Sequence, residues 1–162
     1  MTITARTLNF LLTLLNPPLR ELYPFEPPQP ETNPEHVRQG LQQLLRALRS
    51  SHDYHRMAMC EFNTGLYHLE WGERHQAHGF FHKARFHAAL ANNDPFVCLA
   101  YFAESCAHNL YDTAPAFAIY HKAHTSLHNF KGLLRTRQTY RLMVFTERLE
   151  QQLERWRRIL EE

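Results

Sequence analysis

The stretch Ala77-x3-Phe81-His82-Lys83-Ala84 returns 39 positions later as Ala116-x3-Tyr120-His121-Lys122-Ala123. Ala58 to Leu69 aligns with Val97 to His108 at the same offset. Such a repeat restricts the chain to one supersecondary unit used more than once. Ala77 and Ala84 are seven apart, so on a helix they share a face and let a neighbouring helix approach closely, while Phe81 between them fills the adjoining gap. Gly65 removes a side chain where the partner helix would cross, and Gly72 suits a tight turn. The unit predicted is an antiparallel helical hairpin, which cannot bury its apolar stripe alone and is stabilised by stacking on a neighbour.

The rest of the chain agrees with helices. Five glycines in 162 residues, and long stretches rich in Leu, Ala, Gln, Glu and Arg, argue against a sandwich or barrel. Seven of the nine prolines fall between Pro17 and Pro34. That segment cannot be regular helix or central strand, because each Pro removes a donor and restricts its predecessor. Residues 16–33 are expected to form an extended linker pinned by Tyr23 and Phe25. Residues 1–15 are expected to form a short docking helix: Asn9 and Thr13 interrupt the apolar run, and no small-x-small site follows it, which disfavours a signal peptide. Residues 34–162 form the helical domain.

Within that domain Asn33-Pro34-Glu35 starts a helix with the stripe Val37, Leu41, Leu44, Leu45 and Leu48, broken at Ser50-Ser51. Further helices are expected from about Asp53 to Trp71, Glu73 to Ala91, Asp94 to Leu110 and Asp112 to His128. Asn129 to Gly132 reads as a turn, and Leu133 to Leu160 as one long amphipathic helix with Leu142, Phe145, Leu149, Leu153 and Trp156 apolar. Short turns between helices imply antiparallel neighbours.

Gly65, Gly72, Ala77, Phe81 and Ala84 have the residue types and spacing of a tetratricopeptide repeat, which the chain resembles over about Asp53 to His128, roughly half its length. In the second unit Glu104 and Tyr111 stand at the glycine positions, Pro95 is displaced, and the offset exceeds the usual period of about 34 residues. A generic helical bundle with small-residue contacts is the other reading of the same seam. The resemblance implies an all-α fold of stacked antiparallel hairpins, a short right-handed solenoid with the long last helix as its cap. It also implies a concave groove that receives a segment or helix of a partner protein. Carried over by period, the groove residues would be Phe62, Asn63, Leu66 and Glu70 from the first unit, Tyr101, Phe102, Ser105 and Asn109 from the second, and Arg137, Tyr140, Arg141 and Val144 from the last helix. Arg137 and Arg141 share a helical face and, with Asn63, would grip a carboxylate, which points to an acidic segment. The general burial of apolar helix residues instead places Phe62, Tyr101 and Phe102 in the core.

The expected function is a non-catalytic adaptor or assembly factor that binds another protein and self-associates through an uncovered end. The formal charge is +2, too weak for a nucleic-acid protein on its own, although fifteen of the eighteen basic residues are Arg. No apolar run approaches the roughly 18 to 20 residues of a membrane span. Cys60, Cys98 and Cys106 lack CxxC spacing and read as buried reduced thiols in the cytoplasm. No cofactor is expected. Two other readings are the helical triplets His75, His78, His82 and His121, His124, His128 as surface metal sites, and Arg49 with His55 as a ribonuclease pair. The triplets lie opposite the Ala/Phe face, without Cys or paired carboxylates. Arg49 and His55 straddle the expected helix break, and no motif joins nucleophile, base and orienting group.

Overall fold

The structure, a computed structural model, describes residues 2–109, 112–134 and 139–162. It is all-helical among those residues: α1 (Ala5–Leu15), a 3-10 turn (Arg20–Leu22), α2 (Pro34–Arg49), α3 (Tyr54–Glu70), α4 (Arg74–Leu90), α5 (Asp94–Ala107), α6 (Thr113–Leu133) and α7 (Tyr140–Glu161). None of these helices is long and apolar enough to cross a membrane.

Local chemistry sets the boundaries. Asn33 caps α2 by accepting from Glu35 N, with Pro34 at the first helical position. Asp53 caps α3 through Arg56 N, and Asn93 caps α5 through Phe96 N. Gly72 takes φ +79° between α3 and α4, a left-handed conformation that costs glycine little. Asn92, at φ 56°, makes the matching bend after α4.

Helices α3, α4, α5 and α6 pack in chain order, each on the next. The small–bulky–small seam lies at the centre of that packing. Ala77, Phe81 and Ala84 are fully buried in α4, as are Ala116 and Ala123 with the largely buried Tyr120 in α6. A Cβ at Gly65 would stand 2.6 Å from the Phe81 ring, so the missing side chain of α3 is the space Phe81 occupies. Phe81 also meets Phe62 at 5.0 Å between ring centroids, and Phe62 meets Phe96 edge-on at 5.5 Å.

The opposite side of α3 and α5 is covered by the chain's own ends. Helix α1 packs on α3, α5 and α7, burying Ala5, Leu8, Leu11 and Leu12. The Pro-rich segment is strapped along α3. Leu22 and Phe25 are buried, and the Tyr67 hydroxyl donates to Pro24 O and accepts from Glu26 N. Helix α7 inserts Trp156, whose Nε1 donates to Ser105 Oγ at 2.7 Å, and that hydroxyl in turn donates to Ala116 O at 2.7 Å. Helix α2 is held more loosely: Leu41 is its one buried residue, with Val37, Leu44 and Leu48 half-buried.

Two boundaries differ from expectation. The segment Asn129 to Gly132 is not a turn; α6 runs through it to Leu133, because Leu127 and Phe130 bury on the core and hold the helix across Gly132. Correspondingly α7 starts at Tyr140 rather than Leu133, capped by Thr139, whose hydroxyl accepts from Leu142 N.

Candidate functional site

The residues expected to line a groove are placed as follows. Phe62, Leu66 and Phe102 are fully buried. Asn63 is buried and donates from Nδ2 to Leu22 O at 3.1 Å, so its amide serves the Pro-rich strap. Ser105 is the relay between Trp156 and Ala116 already described. Tyr101 is half-buried under the Arg85 guanidinium, 4.4 Å from the ring centre. Glu70, Asn109, Tyr140 and Arg141 are exposed, Val144 is half-buried, and Arg137 and Tyr111 lie outside the described residues. The expectation of an open wall along α3 and α5 is therefore corrected: α1, the strap and α7 cover it, because the apolar stripe of a short stack is more stable buried than wet. Phe62 and Phe102 follow the general burial rule instead.

The histidine triplets do not assemble into metal centres. Among the described residues no group of three or more His, Cys, Asp or Glu side chains is arranged to hold a metal ion. His75, His82, His121, His124 and His128 are exposed, whereas His78 is half-buried against His108, ring centroids 4.4 Å apart. Burial lowers the pKa of both below the ordinary imidazole value, and each carries a buried Nε2 without a hydrogen-bond partner among the described residues. The three thiols are protonated: burial pushes Cys60 up to about 12 and Cys98 to about 11, and Cys106 well above its ordinary value.

An arrangement that was not expected lies between α2, α3 and α4. Leu45, Leu48, Met57, Phe80 and Phe86 surround a cavity of about 360 Å³ whose remaining lining is Arg49, Glu61, Lys83 and His87. Its size is at the lower end of the roughly 300–1,000 Å³ of small-ligand pockets. Glu61, 5% exposed, forms the floor, and its Oε1 shares a 2.5 Å hydrogen bond with His87 Nδ1. An ionised carboxylate only accepts, so in that state Nδ1 carries the proton. Burial raises the Glu61 pKa, and the His87 hydrogen bond, Lys83 and Arg49 pull against that rise. Tyr54 stacks on His87 at 6.0 Å with ring planes 9° apart, which fixes the imidazole. Phe86 and Leu90 extend the apolar surface along α4 beyond the cavity, 56% and 45% exposed. A carboxylate-oriented imidazole has the form of a general base, but among the described residues no hydroxyl or thiol lines the cavity beside it. Apolar walls with a few fixed charges are suited to binding.

Arg49 belongs to this cleft, whereas His55 does not line it. Sequence reasoning missed Glu61, Lys83 and His87 because each sits within an apolar helical pattern, and what joins them is a tertiary crossing. One signal was available. Phe80, Lys83, His87 and Leu90 repeat at helical spacing on α4, on a face other than the Ala77/Phe81/Ala84 seam. Helix α4 thus presents three faces: the seam, the pair His82 and Arg85 toward Glu104 of α5, and this stripe toward α2 and α3.

No family model, curated protein or solved structure matches this chain.

Proposed function

We propose that the protein is a non-catalytic interaction module that docks a segment of another protein in the cleft between α2 and α4. The observation that carries this reading is the apolar cavity, continued by the exposed Phe86 and Leu90 on the same side of α4. Large exposed apolar side chains beside a concave surface favour association, and aromatic anchors set in such pockets dominate interface energies. The consecutive hairpins α3–α4 and α5–α6 are read as a short tetratricopeptide-like right-handed solenoid. Helix α7 acts as its cap, and α1 with the strap fills the inner wall in cis. Three free buried cysteines favour a reducing, cytoplasmic setting.

The test is capture from cells of the source organism on immobilised wild type and on a Leu45→Glu/Phe86→Glu variant, with circular dichroism confirming that the variant is folded. A defined set of proteins retained by the wild type and lost from the variant is expected. The same set on both, or none on either, removes the cleft as the docking surface.

A further inference from the structure

The cleft has a charge as well as a shape, and both walls carry the same sign. Helix α4 contains no acidic residue; its charged side chains are Arg74, Lys83 and Arg85, with four histidines. The half of α2 that faces the cavity, from Leu41 to Arg49, likewise has Arg46 and Arg49 and no acid. Among the described residues Glu61 is the single carboxylate lining the cavity, and it is buried and engaged by His87. Arg49 and Lys83 are exposed at the rim and act on Glu61 through the field rather than by contact; Lys83 lies over the Phe80 ring at 5.3 Å. Glu61 offsets part of this positive charge through the field, but among the described residues neither Arg49 nor Lys83 is held in an ion pair, so the rim keeps a net positive charge that would steer an anionic partner to it.

The apolar part has the reach of a helix. From Phe80 to Leu90 the stripe on α4 covers about 15 Å, close to three turns, at a rise of about 1.5 Å per residue. A partner helix lying along it would present apolar side chains at i, i+3 or i+4 and i+7, the helix-in-groove mode of recognition.

Building on the docking surface proposed above, we infer that its occupant is an acidic amphipathic helix of a partner protein. Its apolar side chains would seat against Leu48, Met57 and Phe86, and its Asp and Glu residues would lie on Arg49 and Lys83. Burial of the apolar face would supply most of the affinity, and the carboxylates would supply orientation and selection against basic helices.

The experiment is selection of the full-length protein against a random peptide library, followed by affinity measurements with labelled copies of the enriched peptides. Enriched sequences are expected to carry more Asp and Glu than Lys and Arg, with apolar residues at helical spacing. Their binding should weaken roughly tenfold or more in Arg49→Glu/Lys83→Glu and should fall with added salt. Phe86→Ala, at an exposed position that leaves the core untouched, should weaken it as well. Peptides that depend on Phe86 but show no acidic excess, or bind Arg49→Glu/Lys83→Glu unchanged, overturn the acidic occupant and leave the docking surface standing. Failure to enrich any peptide, or binding indifferent to all of these substitutions, overturns both. Self-association of the protein that is lost in the same variants identifies a second copy as the occupant and likewise overturns the acidic helix.

Discussion

Glu61 and Glu104 are both buried, on α3 and α5, and α4 answers both of them. Glu104 accepts from Arg85 Nε at 2.7 Å and meets His82 Nδ1 at 2.9 Å, while Glu61 meets His87. Removing one partner of a buried pair strands the other charge, whereas removing the charge itself is milder. Arg85→Met should therefore destabilise the fold by about 2–3 kcal/mol, and Glu104→Gln by less, as read by urea denaturation. Equal and small losses would make these pairs surface-like. Glycines give a second contrast. Gly65→Ala drives a Cβ into the Phe81 ring and should cost about 1–3 kcal/mol by overpacking. Gly79→Ala, on the same hairpin, meets nothing within 4 Å and should stabilise by about 0.5–1 kcal/mol. If both substitutions moved the melting temperature the same way, Phe81 would not fill the gap left at Gly65. The Ala77–Phe81–Ala84 seam was legible in the sequence because residue size and spacing within one helix state it directly. The pairing of Glu61 with His87, 26 residues apart, was not, because no helical periodicity links residues on different helices.

At the scale of elements, α1 decides what the inner faces of α3 and α5 can do. Eleven residues are too few for a stable isolated helix, so α1 persists through what it buries. Leu8 and Leu12 are almost completely enclosed, and truncating either to Ala should cost about 2–5 kcal/mol. Hydrogen exchange should accelerate first in α1 and in the strap around Leu22 and Phe25, and only later in α4 and α5. Uniform acceleration across all helices would mean that α1 does not open as a separate unit. A helix over residues 1–15 was legible from Asn9 and Thr13 interrupting the apolar run with no cleavage site after it; the surface that α1 meets was not. Repeat periodicity assigns an inner face to Phe62, Asn63 and Leu66 without indicating whether it stays open. Asn63 bonding to Leu22 O settles that through a contact 41 positions away. The extension of α6 through Asn129 to Gly132 is the same lesson at a boundary, where burial of Phe130 outweighs local turn signals.

At the scale of the whole molecule, three half-buried imidazoles couple the fold to pH. His68 stacks on Phe80 at 5.1 Å, and His78 faces His108 across the α4–α5 crossing. Burial lowers all three pKa values, against opposing fields from Glu73 at His68, Glu104 at His78, and Asp112 and Glu104 at His108; Arg38 at His68, and the imidazoles of His108, His82 and His75 at His78, add to the lowering. In the unfolded chain each titrates near its ordinary value of about 6.5. Between that value and the lowered folded one the unfolded chain binds more protons, so stability rises with pH in this interval. Acidification through the ordinary histidine range must therefore destabilise the protein, and the loss ends once pH lies below the folded values. The carboxylates act elsewhere. Glu73, held low by its Arg38 hydrogen bond, loses its contribution only as pH falls through the carboxylate range. Glu61, raised by burial, contributes with the opposite sign, its cost growing as pH rises through that range. The urea midpoint should thus fall from about pH 7.5 to about pH 5.5, and His78→Gln/His108→Gln should flatten the slope while leaving the slope due to His68. A double variant as steep as the wild type would show that the half-buried imidazoles of His78 and His108 do not resist protonation. The crossing of α4 over α5 would then not be the pH-sensitive joint of this fold.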